Sequence, residues 1–163
     1  MTDHAANNYP SLWRRLIAII YDSFLVLALI MGVMFAVLPI YSALTGNNAS
    51  ESVVQLDREV VWLIWLLTPM VFFTVFWLKS GQTLSMQAWR IKLVGFSGEP
   101  PTLTQCVIRC LGAALSAACL GAGYLWCLVD VNGRAWHDYL SGTELVLLPK
   151  KTKSRGEQEN PLP

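Results

Sequence analysis

The chain has 163 residues, of which 54% are hydrophobic and only 14% charged, and its net charge is +1. A soluble globular domain carries about 25% charged residues, and so few charges cannot cover a surface that faces water. The composition therefore excludes a typical soluble enzyme, a disordered chain and a nucleic-acid binder, because nucleic-acid binding needs an excess of Lys and Arg.

Three long segments carry no charged residue: residues 24–41, 60–78 and 110–129. A helix needs about 20 predominantly apolar residues to cross a hydrocarbon core of about 30 Å. The predicted fold class is therefore an all-α integral membrane protein with three hydrophobic membrane segments. We expect this membrane domain over residues 12–149, between a flexible N-terminus (residues 1–11) and a disordered charged tail (residues 150–163).

The first helix is predicted over residues 12–44, with Ser11 as a candidate N-cap. Its apolar part is much longer than the roughly 7–15 residues of a signal peptide, so we expect an uncleaved first span. Asp22 lies inside this helix. A charge at the bilayer centre costs about 2.5–3.5 kcal/mol on insertion scales, so Asp22 needs a partner. Arg15, seven positions earlier, lies on the same helix face.

Two interpretations of Asp22 stay open. In one, Asp22 binds a cation or a proton within the membrane. In the other, it forms an internal salt bridge that fixes helix packing, either with Arg15 or with Arg109, Arg134 or His137 from other elements.

Lys and Arg are biased towards cytoplasmic loops. Residues 1–15 hold two of them, residues 42–59 one, residues 79–109 four and residues 130–163 five. The loop over residues 42–59 is therefore expected outside and the N-terminus in the cytoplasm. Three full crossings would place six positive residues on each side, whereas a third segment that enters and returns would place eleven on one side. We favour the second arrangement, with a cytoplasmic C-terminus.

Between the second and third segments, residues 89–94 alternate apolar and basic, which is the two-residue period of a strand. Residues 144–148 are a second strand candidate. The two segments can pair only if both lie on the same side of the membrane, so pairing would support the cytoplasmic C-terminus. The expected β element is small and cytoplasmic.

The third segment is predicted to be broken or re-entrant at Gly121 and Gly123, because glycine weakens a helix interior. Thr102 and Gln105 have capping-box spacing, which predicts a helix start nearby. Gly112, together with these glycines and several alanines, is expected to provide close-packing surfaces between copies of the chain.

Four polar residues follow the third segment: Asp130, Arg134, His137 and Asp138. A His–Asp pair can perform acid–base work, but no Ser or Cys nucleophile stands in a recognisable context, so we expect no enzyme. Arg109 lies on the first turns of the third helix, and we expect its long side chain to extend to the membrane interface. The four Cys match no zinc spacing, and neither a metal nor a cofactor is expected.

Three motifs follow one another along the chain. They are Arg15-Leu16-Ile17-Ala18 followed by Asp22, then Gly81-Gln82-Thr83-Leu84-Ser85-Met86 followed by Trp89-Arg90-Ile91, and then His137-Asp138-Tyr139-Leu140-Ser141-Gly142-Thr143. Together they resemble the RDD family of small integral membrane proteins. The family is named for one arginine and two aspartates, and the resemblance assigns these to Arg15, Asp22 and Asp138, with Asp130 as a weaker match. Ser85 departs from the pattern, which usually has glycine before methionine.

The resemblance implies a mostly bacterial multi-span protein of the cytoplasmic (inner) membrane, without an established activity. Transport of unidentified ligands has been suggested for the family, and cation–proton exchange for some members, whereas some eukaryotic members resemble assembly partners in membrane complexes. We expect a component of ion or small-solute transport, coupled to cations or protons through buried acidic residues. The alternative is a non-transporting scaffold or accessory subunit.

The expected partners are the lipid bilayer, further copies of the chain or other membrane proteins, and a monovalent cation or proton. We expect no nucleic-acid partner.

Overall fold

The computed structural model of the protein describes residues 9–45 and 56–149. Within them the chain is mostly helical and carries one small two-stranded sheet, which confirms the predicted fold class. The predicted disordered tail, and residues 1–8 of the predicted flexible N-terminus, lie outside the described residues.

Two helices are long and apolar enough to cross a membrane: α1, Leu12–Thr45, and α2, Arg58–Ser80. Their 34 and 23 residues give lengths of about 51 and 35 Å, more than a hydrocarbon core of about 30 Å. They pack against each other, and most of their remaining apolar side chains point outward, where lipid would contact them. The buried residues of α1 form one stripe at helical spacing: Arg15, Ala18, Asp22, Val26 and Ile30.

The sheet forms directly after α2. Gly81 ends this helix with a φ of +70°, and a Cβ there would lie 2.8 Å from the carbonyl oxygen of Leu93, so the turn requires glycine. After the short helix α3, Leu84–Ala88, strand β1, Ile91–Gly95, pairs antiparallel with strand β2, Thr143–Leu147. The predicted strand pairing is therefore confirmed, and the two strands lie on the same side of the membrane.

The third apolar segment is broken, as predicted. Helix α4, Leu103–Ala118, is followed by helix α5, Ala122–Leu125, and a 3₁₀ turn, Trp126–Leu128, and the chain bends by 107° between them. Leu120 and Gly121 form the bend, with φ values of +56° and +79°. A left-handed conformation suits glycine but strains leucine.

The broken segment begins and ends at the sheet. Helix α4 starts with the predicted capping box, in which the backbone N–H of Thr102 donates to Oε1 of Gln105 at 2.9 Å. Its 16 residues span about 24 Å, less than the hydrocarbon core. Helix α6, Trp136–Ser141, packs against α4 and leads into β2. The bent pair of α4 and α5 is therefore either one broken span or a re-entrant segment.

Two glycines serve close packing inside the chain. A Cβ on Gly112 would lie 3.1 Å from Cβ of His137, and one on Gly123 would lie 2.2 Å from Oγ of Ser116. Gly112 and Gly123 therefore pack inside the chain, and the packing of this segment between copies stays a prediction. The helix break lies at Leu120 and Gly121, and Gly123 lies just beyond it in α5.

Candidate functional site

Asp138 is the centre of a buried ion cluster. Its Oδ1 lies 2.6 Å from Nη1 of Arg109, and its Oδ2 lies 3.4 Å from Nη1 of Arg15. Oδ2 also accepts a hydrogen bond of 2.7 Å from the backbone N–H of Ala135. The carboxylate is fully buried and both arginine side chains are nearly so. Each oxygen of Asp138 thus faces a cationic group.

The two arginines tie this cluster to different parts of the fold. Arg15, in the first turn of α1, donates from Nε to the carbonyl oxygen of Pro10 at 3.2 Å and from Nη2 to that of Gly133 at 2.8 Å. Arg109, on α4, donates from Nη1 to Oγ1 of Thr143, at the start of β2, at 2.8 Å. The cluster therefore joins α1, α4, α6 and the sheet at one end of the molecule.

The cluster carries one more positive charge than negative. Burial raises the pKa of Asp138, but Arg109, His137, Arg15 and the hydrogen bond from the backbone of Ala135 together outweigh burial and hold that pKa below its usual value. Burial, with repulsion from Arg109, lowers the pKa of His137 to about 3, so its imidazole is neutral near neutral pH. Arg15 and Arg109 therefore face one carboxylate and no second anion within the cluster.

Asp22 lies on the same face of α1, two turns deeper, and belongs to a separate site. It is 3% exposed, and its Oδ2 accepts a hydrogen bond of 2.6 Å from Oγ1 of Thr83. Its Oδ1 is buried without a hydrogen-bond partner among the described residues. Of the alternatives left open for Asp22, the salt bridge with Arg15 is wrong, because Arg15 binds Asp138 and two backbone carbonyls.

Thr83 reaches Asp22 because it also caps α3. Its Oγ1 accepts a hydrogen bond from the backbone N–H of Met86 at 3.3 Å and lies 3.2 Å from Oγ of Ser85. A threonine that caps a helix and donates its own proton to a carboxylate is fixed in orientation. Ser85, the residue that departs from the family pattern, adds a second hydroxyl to this group.

A cavity of about 420 Å³ lies between α1, α2 and α4 and contacts both the ion cluster and Asp22. Its ionisable lining includes Arg15, Asp22, Arg109 and His137. The wall is otherwise largely apolar, and the aromatic part comes from Trp65, Phe73 and Trp77 on α2 and Tyr124 on α5. The cavity thus brings the two polar sites into one space.

Three lining residues have a buried polar atom without a hydrogen-bond partner among the residues that the structure describes. These atoms are Oδ1 of Asp22, Nε1 of Trp77 and Nδ1 of His137. Unpaired buried polar groups are rare in proteins, because each one costs free energy. All three residues border the cavity, so polar groups that lack a protein partner lie beside a space large enough for a ligand or for water.

The family model described as RDD family matches residues 9–142, which is most of the chain. The chain belongs to the RDD family. No curated protein and no solved structure matches this RDD protein.

The three residues assigned to the family's name occupy two sites in this RDD protein. Arg15 and Asp138 form an ion pair at the end of the molecule that holds the sheet, whereas Asp22 lies apart with Thr83. The matched residues include all three. The arginine and the second aspartate thus link distant elements, while the first aspartate has one buried oxygen without a hydrogen-bond partner among the described residues.

Asp130 and Arg134 do not join either site. Oδ2 of Asp130 accepts hydrogen bonds from the backbone N–H groups of Asn132 and Arg134, at 3.1 and 2.8 Å. Arg134 forms an ion pair with Glu144 at 2.6 Å and lies over the ring of Phe96, with 4.1 Å from Cζ to the ring centroid. Both residues are partly exposed and hold the loop before α6 against the sheet.

Two functional contacts were not predicted from the sequence. Arg109 is 3% exposed and pairs with Asp138, so the prediction that its side chain extends to the interface is wrong. Thr83 was not identified as a partner for Asp22. Thr83 lies in the Gly81–Met86 motif, which is one of the three that resemble the family. Membership of that motif could have identified it as a candidate partner.

Proposed function

We propose that this RDD protein is an ion- or small-solute-transport component of the bacterial cytoplasmic membrane, in which Asp22 takes up a proton or a monovalent cation. One observation carries the proposal: a buried carboxylate within a membrane-length helix has an unpaired oxygen and lines a cavity. Ionisable groups within membrane spans are costly, and they mark ion pathways and proton relays in many transporters.

The contacts of Arg15 support this assignment of Asp22. If Arg15 paired with Asp22, the carboxylate would be neutralised and a structural role would suffice. Arg15 instead has Asp138 and two backbone carbonyls as partners. The only hydrogen-bond donor to Asp22 among the described residues is the hydroxyl of Thr83, which carries no charge. A bound cation or proton would complete the site.

The broken third segment also fits transport. Discontinuous helices place free helix ends and polar groups at the depth of a binding site in many transporters. Here the bend at Leu120 and Gly121 turns the chain back towards the sheet, so that α4 and α6 form one wall of the polar region. We place the sheet end in the cytoplasm, together with the N-terminus, because all Lys and Arg of the described residues except Arg58 lie at this end.

The alternative is a scaffold or accessory subunit that binds other membrane proteins or further copies of the chain. The ion cluster favours this alternative. Asp138 and its two arginines join α1, α4, α6 and the sheet, and each oxygen of Asp138 already has an arginine beside it. Under this alternative Asp22 is structural, and its replacement would lower the folded yield or release a bound partner.

Proton flux in sealed proteoliposomes tests the proposal. Wild type, Asp22→Asn and the matched control Asp130→Asn are compared while Na⁺, K⁺ or Li⁺ is added outside. We expect cation-dependent proton flux in wild type and in Asp130→Asn, and none in Asp22→Asn of equal yield and elution volume. Full flux in Asp22→Asn would contradict the role of Asp22. No flux in folded wild type with any of the three cations would favour the scaffold.

A further inference from the structure

Arg109 has a free side on its guanidinium group. Its Nη1 serves both the ion pair with Asp138 and the hydrogen bond to Thr143. Its Nε and Nη2 have no hydrogen-bond acceptor among the described residues, although the whole side chain is 3% exposed and lines the cavity. Arg15 differs, because its Nε, Nη1 and Nη2 each donate to a protein oxygen.

The free side of Arg109 has a defined chemical preference. Nε and Nη2 of a guanidinium carry parallel N–H bonds, and this edge binds a carboxylate through two hydrogen bonds. The ion cluster also holds one positive charge in excess, since His137 is neutral. Both the geometry and the charge of this end of the cavity therefore suit a carboxylate.

The opposite charge lies elsewhere in the same cavity. Oδ1 of Asp22 is buried and has no hydrogen-bond partner among the described residues, and Asp22 lines the same cavity as Arg109. A carboxylate oxygen without a donor suits an ammonium group, which supplies both a charge and N–H bonds. The cavity therefore presents a donor edge and an acceptor oxygen at separate places.

Apolar side chains line the space around these two groups. They include Trp65, Leu66 and Phe73 on α2 and Ala113 and Ala117 on α4. The volume of about 420 Å³ lies within the range of about 300–1,000 Å³ that is usual for small-molecule sites. A ligand with two opposite charges and an apolar group would match the arginine edge, the carboxylate of Asp22 and the apolar part of this wall.

We infer that the cavity binds an amino-acid-like zwitterion with an apolar side chain. Its carboxylate binds the Nε and Nη2 edge of Arg109, its ammonium replaces the proton or cation at Oδ1 of Asp22, and its side chain packs against α2 and α4. A simple cation would leave the arginine edge unfilled, and a simple anion would leave Asp22 unfilled. The inference rests on the proposed transport function, for which it names the substrate class.

Cys110 provides a reporter for ligand binding, because it lines the cavity and is partly exposed. Cys106 is fully buried, and Cys119 and Cys127 are replaced by Ser in the test protein. The full chain in detergent is treated with N-ethylmaleimide, and modification of Cys110 is followed by mass spectrometry. The ligands are alanine, valine, leucine, methionine and phenylalanine at millimolar concentration. We expect at least one of them to slow the modification and to raise the melting temperature.

Leucine analogues then test each charge separately. 4-Methylpentanoate lacks the ammonium group and 3-methylbutylamine lacks the carboxylate, and we expect each to protect Cys110 at least tenfold less than leucine does. Arg109→Lys keeps the charge beside Asp138 but removes the bidentate edge, and Asp22→Asn removes the acceptor charge. Both variants should lose protection, whereas the matched controls Arg134→Lys and Asp130→Asn should keep it.

A cavity-filling variant covers the case in which Arg109→Lys fails to fold. Ala113→Phe narrows the cavity without touching either charge, and it should abolish protection while the protein stays monodisperse. The inference is overturned if none of the five amino acids protects Cys110, or if 4-methylpentanoate protects as well as leucine does. Cation-dependent flux without amino-acid binding would overturn this inference alone, and amino-acid binding without flux would overturn only the proposed cation–proton exchange.

Discussion

Arg15 and Asp138 lie 123 positions apart in the sequence and form an ion pair of 3.4 Å that ties the start of α1 to α6. Arg109 binds the other oxygen of the same carboxylate at 2.6 Å. One aspartate therefore holds the first and third membrane segments together at the end of the molecule that carries the sheet.

Replacing Asp138 should destabilise the protein strongly. Asp138→Asn leaves the guanidinium groups of Arg15 and Arg109 buried without an anion, and breaking a buried ion pair from one side costs about 3–5 kcal/mol. The matched change Glu144→Gln breaks a pair with Arg134 that is partly exposed, and exposed pairs contribute at most about 1 kcal/mol. Melting temperatures in detergent compare the two variants. An equal fall in melting temperature in both variants would show that the buried ion pairs of Asp138 do not stabilise the fold more than the partly exposed pair does.

Acid should destabilise the fold through His137. Its pKa falls from the ordinary 6.5 to about 3 in the folded protein, so the unfolded chain binds the extra proton first as the pH falls. The contribution of neutral His137 is present above pH 6.5 and is lost progressively towards pH 3. The depressed pKa of Asp138 acts in the same direction at the acidic end.

The variant His137→Gln has no titratable group at position 137. Its melting temperature should therefore depend less on pH between 6.5 and 3 than that of wild type does. Parallel curves for the two proteins would contradict the assignment of a buried neutral imidazole.

Thr83 should contribute through its hydroxyl group. Thr83→Val removes both the N-cap of α3 and the donor to Asp22, and loss of an N-cap alone costs about 0.5–2 kcal/mol. Thr83→Ser keeps the hydroxyl and should retain most of the stability. Thermal melting of the three proteins is the measurement, and Ser and Val variants of equal stability would contradict this role.

Gly123 should not tolerate a side chain. A Cβ at this position would lie 2.2 Å from Oγ of Ser116, so Gly123→Ala forces α5 away from α4 and should cost about 1–3 kcal/mol. Gly32→Ala is the matched control, because nothing lies within 4 Å of its Cβ and alanine favours a helix interior. A melting temperature that is unchanged in Gly123→Ala would show that the two helices do not pack closely here.

The sidedness of the chain can be tested with single cysteines. Glu99→Cys and Pro149→Cys lie near the sheet, and Leu44→Cys lies at the far end of α1, all three at exposed positions. In a background without Cys110, Cys119 and Cys127, a membrane-impermeable maleimide added to intact cells should label only Leu44→Cys. Labelling of Pro149→Cys, but not of Glu99→Cys, would indicate that the third segment crosses the membrane fully.

Local sequence patterns predicted most of the fold. The apolar segments, the Thr102–Gln105 capping box and the alternation in β1 each depend on neighbouring residues, and each was found where expected. The break at Gly121 was also local, because glycine adopts a positive φ without strain. Leu120 also has a positive φ. This could not be predicted, because leucine rarely adopts that conformation.

The polar contacts depended on packing and were only partly predictable. Arg15 and Asp22 share a helix face, which suggested an ion pair. In the structure Arg15 binds Asp138 and Asp22 accepts a hydrogen bond from Thr83, both on other elements. Thr83 lies 61 positions from Asp22, and only the turn after α2 brings them together. Sequence spacing identifies neighbours on one helix, and it does not show which element packs against them.

The most direct test of the central claim is an infrared difference spectrum of the purified protein on addition of Na⁺, K⁺ or Li⁺ in turn. If Asp22 takes up the cation or exchanges a proton for it, a carboxyl or carboxylate band should change in wild type and in Asp130→Asn. The same band should stay constant in Asp22→Asn. A cation-induced change of equal size in Asp22→Asn would contradict the claim, because the responding carboxyl group would then lie elsewhere.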